Sequence, residues 1–261
     1  MRATKMAKGT ALITGASSGI GEALARELAK RDFDLIITAR RRENLEALAD
    51  ELSSHVHVQV ISCDLATQEG MRQLLDEIDT PIDILVNNAG IAYSGSFHAQ
   101  SEQDIDNLLN LNIVALTRLT KAMLPQMLER GAGRILNVAS VASFQPVPSL
   151  AAYAATKAYV LSLTESLSEE LRGTGVTTTA LCPGLTKTAL LDEVQGFDVP
   201  AGIASSPAEV AREGVDALLG REVIRVPGIA NQAALAWAKH QPRWLVRGLG
   251  GMLARINPNN R

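Results

Sequence analysis

The chain has only two cysteines in 261 residues, Cys63 and Cys182. They lie far apart, each at the end of a strand-like run, so they form neither a disulfide framework nor a zinc site. That usage fits a reducing cytoplasm. The four histidines are scattered, and no His/Cys/Asp cluster has metal-ligand spacing. No apolar run approaches the ~20 residues that cross a bilayer. The start, MRATKMAKGTALITG, is basic but leads directly into a strand-like run. It has neither the long apolar region nor the small-residue cleavage site of a signal peptide. A net charge of −3 gives no electrostatic footprint for nucleic acid. No repeat, low-complexity tract or linker divides the chain, so one domain over 1–261 is expected. Acidic residues stop at Glu222. The last 39 residues carry Arg225, Lys239, Arg243, Arg247, Arg255 and Arg261 and no acidic side chain.

What is there is alternation. The runs ALIT (11–14), DLIIT (34–38), VHVQVIS (56–62), DILVN (83–87), RILNVAS (134–140) and GVTTTALCP (175–183) read as strands, with a further strand near 222–226. Helical periodicity occupies 19–31, 43–52, the stretch through Met71, Leu74, Leu75 and Ile78, a long segment from about 101 to 129 with a break, 151–172 and 207–219. Strands that read as continuous apolar runs are covered on both faces. Repeated β–α alternation predicts an α/β, Rossmann-like, doubly wound parallel sheet of about seven strands with helices on both faces.

TGASSGIG lies between the first strand and the first helix. Glycines at 15, 19 and 21 permit close approach by a diphosphate, and the helix start offers unpaired N–H groups and a positive dipole end. Ser17 and Ser18 add hydroxyl donors. The second strand ends Thr38–Ala39–Arg40–Arg41–Arg42, with no carboxylate before Glu43. An acidic residue here binds the ribose 2′-OH of NAD, whereas an arginine accommodates a 2′-phosphate. Cations are unfavourable at a helix N-terminus unless an anion is near. The sequence therefore favours NADP(H) over NAD(H).

Tyr153 and Lys157 fall four residues apart in AAYAATKAYV, which puts both on one helix face. Of three tyrosines, only this one has a lysine four positions on. A fixed positive charge near a phenol lowers its pKa, and a tuned phenol can give or take the proton that carbonyl reduction or alcohol oxidation needs. Taken alone, the pair has a more usual reading, a lysine lying over a ring on a solvated face.

The chain holds TGASSGIG at 14–21, Asp64 after the third strand and NNAG at 87–90. It adds Asn112 in the long helix, Ser140 ending the fifth strand, Tyr153-x3-Lys157 and PGLTKT at 183–188, in that order. This set resembles the short-chain dehydrogenase/reductase family over roughly residues 8–228. The 13-residue step from Ser140 to Tyr153 also matches the family's pattern. The resemblance implies a dinucleotide across the carboxyl ends of the strands, at the switch point. By position, it implies that Gly15, Ser17, Ser18, Ile20 and Gly21 line the diphosphate and adenosine ribose, and that Arg40 binds the 2′-phosphate. Asp64 would hydrogen-bond the adenine amino group, with Leu65 beside it. Asn88 would lie near the nicotinamide ribose, or tie neighbouring strands together. Pro183, Gly184 and Thr186 would hold the nicotinamide end. The implied catalytic set is Asn112, Ser140, Tyr153 and Lys157. Tyr153 passes the proton, Ser140 holds the carbonyl oxygen, and Lys157 acidifies the tyrosine and binds ribose hydroxyls. Asn112 holds a water that leads to solvent.

Residues 189–205 correspond to the family's mobile lid. Their Leu190, Leu191, Val194, Phe197 and Val199, with walls at Ile91–Ala92–Tyr93, Val141 to Phe144 and Gln145, point to a hydrophobic ketone, aldehyde or alcohol. The family commonly forms dimers and tetramers, so a homodimer or homotetramer is expected. The tail from about 229 places Leu245, Leu249, Met252 and Ile256 on one helical stripe opposite Arg243 and Arg247, with Trp237 and Trp244 nearby. Such a basic amphipathic extension suits an anionic membrane surface, but packing on the core or a second subunit is favoured, because Gly248, Gly250 and Gly251 weaken a free-standing helix. Two other readings stay open: a fold-related epimerase or dehydratase, and an NADPH-binding regulator or scaffold.

Overall fold

The computed structural model describes residues 8–187, 204–239, 241, 245 and 248. The chain runs β1 (Thr10–Thr14), α1 (Gly19–Ala29), β2 (Asp34–Ala39), α2 (Arg42–Leu52), β3 (Val58–Ser62), α3 (Gln68–Glu77) and β4 (Ile84–Asn87). It continues through α4 (Glu102–Leu109), a π-helical turn (Asn110–Ala115), α5 (Leu116–Glu129), β5 (Gly133–Val138) and α6 (Ala151–Glu170). It then forms β6 (Val176–Leu181), α7 (Pro207–Leu219), β7 (Ile224–Arg225) and α8 (Ile229–Lys239). Short 3₁₀ turns cover Phe97–Ala99 and Val141–Phe144.

The seven strands form one parallel sheet in the order β3-β2-β1-β4-β5-β6-β7. β1 pairs with β2 on one side and β4 on the other, so the direction of winding reverses there. A crevice opens at that switch point, outside the carboxyl ends of the strands. Two apolar clusters cover the faces. Leu24, Leu28, Leu45, Val210 and Val215 pack against one. Met71, Leu74, Leu119 and Met123 pack against the other. Helix starts are set locally. Ser206 and Glu209 form a capping box on α7 with Pro207 in its first turn, and Thr67 caps α3 by accepting the Gly70 N–H.

The break expected in the long helix is the π turn, which joins α4 to α5 and widens the helix at Asn112. The last strand is shorter than the apolar pattern suggests, because only Ile224 and Arg225 pair with β6. Most of the lid segment lies outside the described residues, as do Arg243, Trp244, Arg247, Leu249, Met252 and Ile256 of the tail. Among the described residues, no helix is long and apolar enough to cross a membrane.

A buried polar ladder crosses the sheet beneath the crevice. Asn87 Nδ2 donates to Asn137 Oδ1 (2.9 Å) and Thr120 Oγ1 (3.0 Å), and Asn137 Nδ2 donates to Thr164 Oγ1 (2.9 Å). The ladder joins β4 and β5 to α5 and α6. Removing one member strands its partners without water. Asn137→Ala is expected to cost about 2–3 kcal/mol of folding stability, read from urea denaturation. A loss below about 0.5 kcal/mol would mean that the ladder contributes nothing beyond packing.

Candidate active site

The phosphate loop is shaped by one side chain as much as by its own glycines. Gly15 and Gly19 take the left-handed conformation at φ 68° and 62°, which disfavours a side chain. Asn88 Nδ2 donates to the carbonyls of Thr14 (2.8 Å) and Gly15 (3.2 Å). A Cβ added at Gly21 would sit 2.3 Å from Asn88 Nδ2 and 2.3 Å from the Gly15 oxygen. One at Gly15 would lie 2.8 Å from the same Nδ2. Asn88 therefore ties β4 to the loop, and the glycines leave it room. Of its two expected roles, this geometry accounts for the tie between strands.

Beside the loop, at the end of β2, the arginines divide their work in a way that the run of three did not reveal. Arg41 donates to Ser17 Oγ from Nε (3.3 Å) and Nη2 (3.2 Å), and to Ser18 Oγ from Nη2 (2.6 Å). Arg42 pairs with Glu46 at 2.7 Å. Arg40 is exposed and lines the same cavity. Asn44 Nδ2 donates to the Ser17 carbonyl at 3.1 Å. The expectation named Arg40 alone, whereas the structure puts Arg41 on the two loop hydroxyls. The visible signal was the run of three arginines just before a helix start. Ser18 caps α1 without a side-chain bond to its N–H groups, which leaves those donors facing the loop.

At the other end, β5 and the turn after it meet α6. Lys157 Nζ donates to the Val138 carbonyl (2.8 Å), and Ser143 Oγ donates to the Lys157 carbonyl (2.8 Å). Ser140 caps the 3₁₀ turn by accepting from the Ala142 N–H, and its own N–H meets Ser143 Oγ. The Lys157 ammonium stands 5.7 Å from the centre of the Tyr153 ring. Burial pushes the Tyr153 phenol above its ordinary pKa, and its hydrogen bond with Ser140 pulls the other way. Burial and Ser140, rather than Lys157, set the direction of that shift here. The ammonium is turned to Val138, and burial lowers its own pKa to about 8. Cys182 lies behind this corner. Burial pushes its thiol to about 12, so it stays protonated and non-nucleophilic.

Asn112 is buried in the π turn. Its Nδ2 donates to the Ile91 carbonyl (2.9 Å) and Thr156 Oγ1 (3.1 Å), and its Oδ1 accepts from the Ile91 N–H (3.0 Å). A Cβ at Gly90 would lie 3.2 Å from Asn112 Oδ1 and 3.4 Å from Lys157 Nζ. A side chain at Gly90 would thus press on both groups, a constraint its place in NNAG could have signalled.

One cavity of about 540 Å³ runs through these parts. Gly15, Ser17, Ser18, Ile20, Arg40, Asp64, Leu65, Asn88, Ser140, Tyr153, Lys157, Pro183, Gly184 and Thr186 all line it. Gly21 and Asn112 stand behind it. Ile91, Ala92, Val141, Ala142 and Gln145 form walls as expected, joined by Val147, Leu150 and Leu185. Tyr93, Ser143 and Phe144 are not in the lining, and Phe144 is exposed. Asp64 Oδ1 accepts from the Ala66 N–H, which orients the carboxylate at the cavity edge. The residues present fit a dinucleotide: left-handed glycines, an uncapped helix start, basic groups at one end and a Tyr–Lys pair at the other.

The family model described as "short chain dehydrogenase" matches residues 9–197. The chain belongs to the short-chain dehydrogenase/reductase family, and so to a class of oxidoreductases. It is similar to sulfoacetaldehyde reductase 2 of Chromohalobacter salexigens, 40% identical over 186 residues, which cover 68% of this chain and 72% of that protein. Among solved structures it resembles a short-chain dehydrogenase from Sphingobium yanoikuyae in complex with NADPH. The TM-score is 0.79 at 37% identity, over 88% of this chain and 93% of that one. It also resembles the bulky-bulky ketone specific alcohol dehydrogenase from Comamonas testosteroni, with TM-score 0.76 and 32% identity over 90% and 95% of the two chains.

The buried lysine has a measurable cost. The folded chain holds the Lys157 proton less tightly than the unfolded chain, whose lysine titrates near 10.5. The penalty is fully present below about pH 8 and fades as pH rises through 10.5. Lys157→Met is expected to raise the melting temperature at pH 7, by a stabilisation of order 1–3 kcal/mol offset partly by the unpaired Val138 carbonyl. The gain should shrink by pH 10. An equal gain at both pH values would remove charge burial as its cause.

Proposed function

We propose that the protein is an NADP(H)-dependent carbonyl reductase or alcohol dehydrogenase for hydrophobic ketones, aldehydes or secondary alcohols. The observation that carries this reading is a single cavity running from Arg40 and Arg41, along the glycine loop, to Ser140, Tyr153 and Lys157. When bound, the nicotinamide supplies or accepts the hydride. Gly15, Ser17, Ser18, Ile20 and the start of α1 hold the diphosphate and adenosine ribose. Arg40 and Arg41 take the 2′-phosphate, whose geometry a guanidinium matches in bidentate fashion. Asp64 and Leu65 border the adenine, and Pro183, Gly184 and Thr186 border the nicotinamide.

The raised pKa of Tyr153 keeps its proton in place at neutral pH, which suits donation to a carbonyl oxygen. Ser140 hydrogen-bonds the same oxygen and stabilises charge that develops there. Lys157 holds ribose hydroxyls and stands beside the phenol. Asn112 and Lys157 pack against the same glycine, Gly90, and a water beside Lys157 would return the proton to Tyr153. Apolar walls at Ile91, Ala92, Val141, Val147, Leu150 and Leu185 support a hydrophobic substrate. So does likeness to an alcohol dehydrogenase for bulky ketones, and likeness to an NADPH complex supports the cofactor.

Exposed Leu109 of α4 and Tyr159 of α6 support assembly as a homodimer or homotetramer. The buried free thiols of Cys63 and Cys182 fit a reducing cytoplasm.

Two experiments test the reading. Tyr153→Phe is expected to lower kcat by about 10²–10⁴-fold on a ketone that the wild type reduces; retained turnover would end its role as proton donor. NADPH should outperform NADH in an oxidation screen across ketones and aldehydes. Arg41→Ala should raise KM for NADPH about 10–100-fold and leave NADH nearly unchanged. A wild type that prefers NADH would overturn the assignment of both arginines.

A further inference from the structure

The segment beyond 228 is the part of the chain that the family motifs leave unused. We infer that Asn231, in α8, is a positioning residue for the loop 183–187, so that the start of the C-terminal extension belongs to the nicotinamide end of the site. The inference rests on the cofactor reading above.

α8 begins after Gly228, at φ 82°. Its first turn is anchored to the end of the β7 region. Asn231 Nδ2 donates to the Pro227 carbonyl (2.8 Å), and Gln232 Nε2 donates to the Val226 carbonyl (2.9 Å). The anchored Asn231 amide lies directly against Gly184. A Cβ added at Gly184 would meet Asn231 Oδ1 at 2.5 Å, Nδ2 at 2.6 Å and Cγ at 2.7 Å. Gly184 is not among the left-handed glycines, so its backbone does not forbid a side chain. What crowds one is the Asn231 amide, which would have to shift. The glycine that the family pattern assigns to the cofactor is thus also demanded from the far side, by the extension.

The same loop is held at two other points. The Val141 N–H donates to the Pro183 carbonyl (2.9 Å), which fixes the loop to the turn after Ser140. Ser205 exchanges backbone bonds with its outer end, accepting from Lys187 (3.2 Å) and donating to Leu185 (3.0 Å). Thr186 Oγ1 closes the loop on the Gly184 carbonyl (3.1 Å). Asn231 therefore completes a support whose exposed side faces the cavity through Pro183, Gly184, Leu185 and Thr186. These residues lie at the end remote from Arg40 and Arg41. A change at Asn231 acts on one half of a dinucleotide and spares the other.

That asymmetry gives the test. Dissociation constants for NADPH and for 2′,5′-ADP, which lacks the nicotinamide half, are measured by fluorescence titration or calorimetry. Asn231→Ala, which removes the amide packed behind Gly184, is expected to weaken NADPH about fivefold and to leave 2′,5′-ADP unchanged. Gly184→Ala should weaken NADPH further. The double variant, which removes all three crowding atoms, should recover to the level of Asn231→Ala. If Gly184→Ala does not fold, recovery of folding in the double variant carries the same test. Equal losses on both ligands, no loss on either, or no rescue would each overturn the inference. A wild type that prefers NADH defeats only the NADP(H) reading, and the comparison then runs with NADH and ADP. A wild type that binds neither dinucleotide overturns both.

Discussion

The coupling of β5 to α6 is the constraint on which the chemistry rests. Three buried or half-buried hydrogen bonds make it: Asn137 to Thr164, Lys157 Nζ to the Val138 carbonyl, and Ser143 to the Lys157 carbonyl. Ser140 follows β5, and Tyr153 and Lys157 lie on α6. Each bond therefore limits how far the serine can drift from the phenol. A parallel sheet makes this possible, because its strands all end on one side and the helices start there. The cost is burial of an ammonium whose proton the fold holds weakly. A site that binds polar groups tightly is often less stable than an apolar one of the same shape.

The phosphate end follows the same logic with different atoms. Asn88 reaches from the end of β4 into the loop between β1 and α1, and the loop is glycine-rich where that amide passes. Arg41 closes the loop from the side of β2 and α2. Asn231 supports the third loop, after β6, from beneath. In the first and third places a polar side chain occupies the space that a missing Cβ leaves, and in the second Arg41 holds two serine hydroxyls. Such contacts pre-organise a crevice before any ligand arrives, so less ordering is left to be done on binding.

Much of this was legible in the chain. Strands appear as short apolar runs, and the helix carrying Tyr153 and Lys157 is visible from its spacing, because both depend on residues close in sequence. The π turn was legible only as a break somewhere between about 101 and 129; that a wide turn accommodates the buried Asn112 depends on Ile91 and Thr156. The division of labour among Arg40, Arg41 and Arg42 was not legible. All three have the same chemistry, and which one turns to Ser17 and Ser18 depends on where α2 starts and how Arg41 leaves the strand, at φ −84° and ψ 94°.

The sequence by itself determined the alternating α/β fold, the glycine-rich loop after β1 and the pairing of Tyr153 with Lys157 on one helix, because periodicity, turn chemistry and motif spacing are local. Only the tertiary structure decided that Tyr153 is raised by burial, that Lys157 leans on Val138, and that Asn231 packs directly against Gly184. Desolvation and close packing are sums over neighbours from distant segments, and those neighbours become known only when the chain has folded.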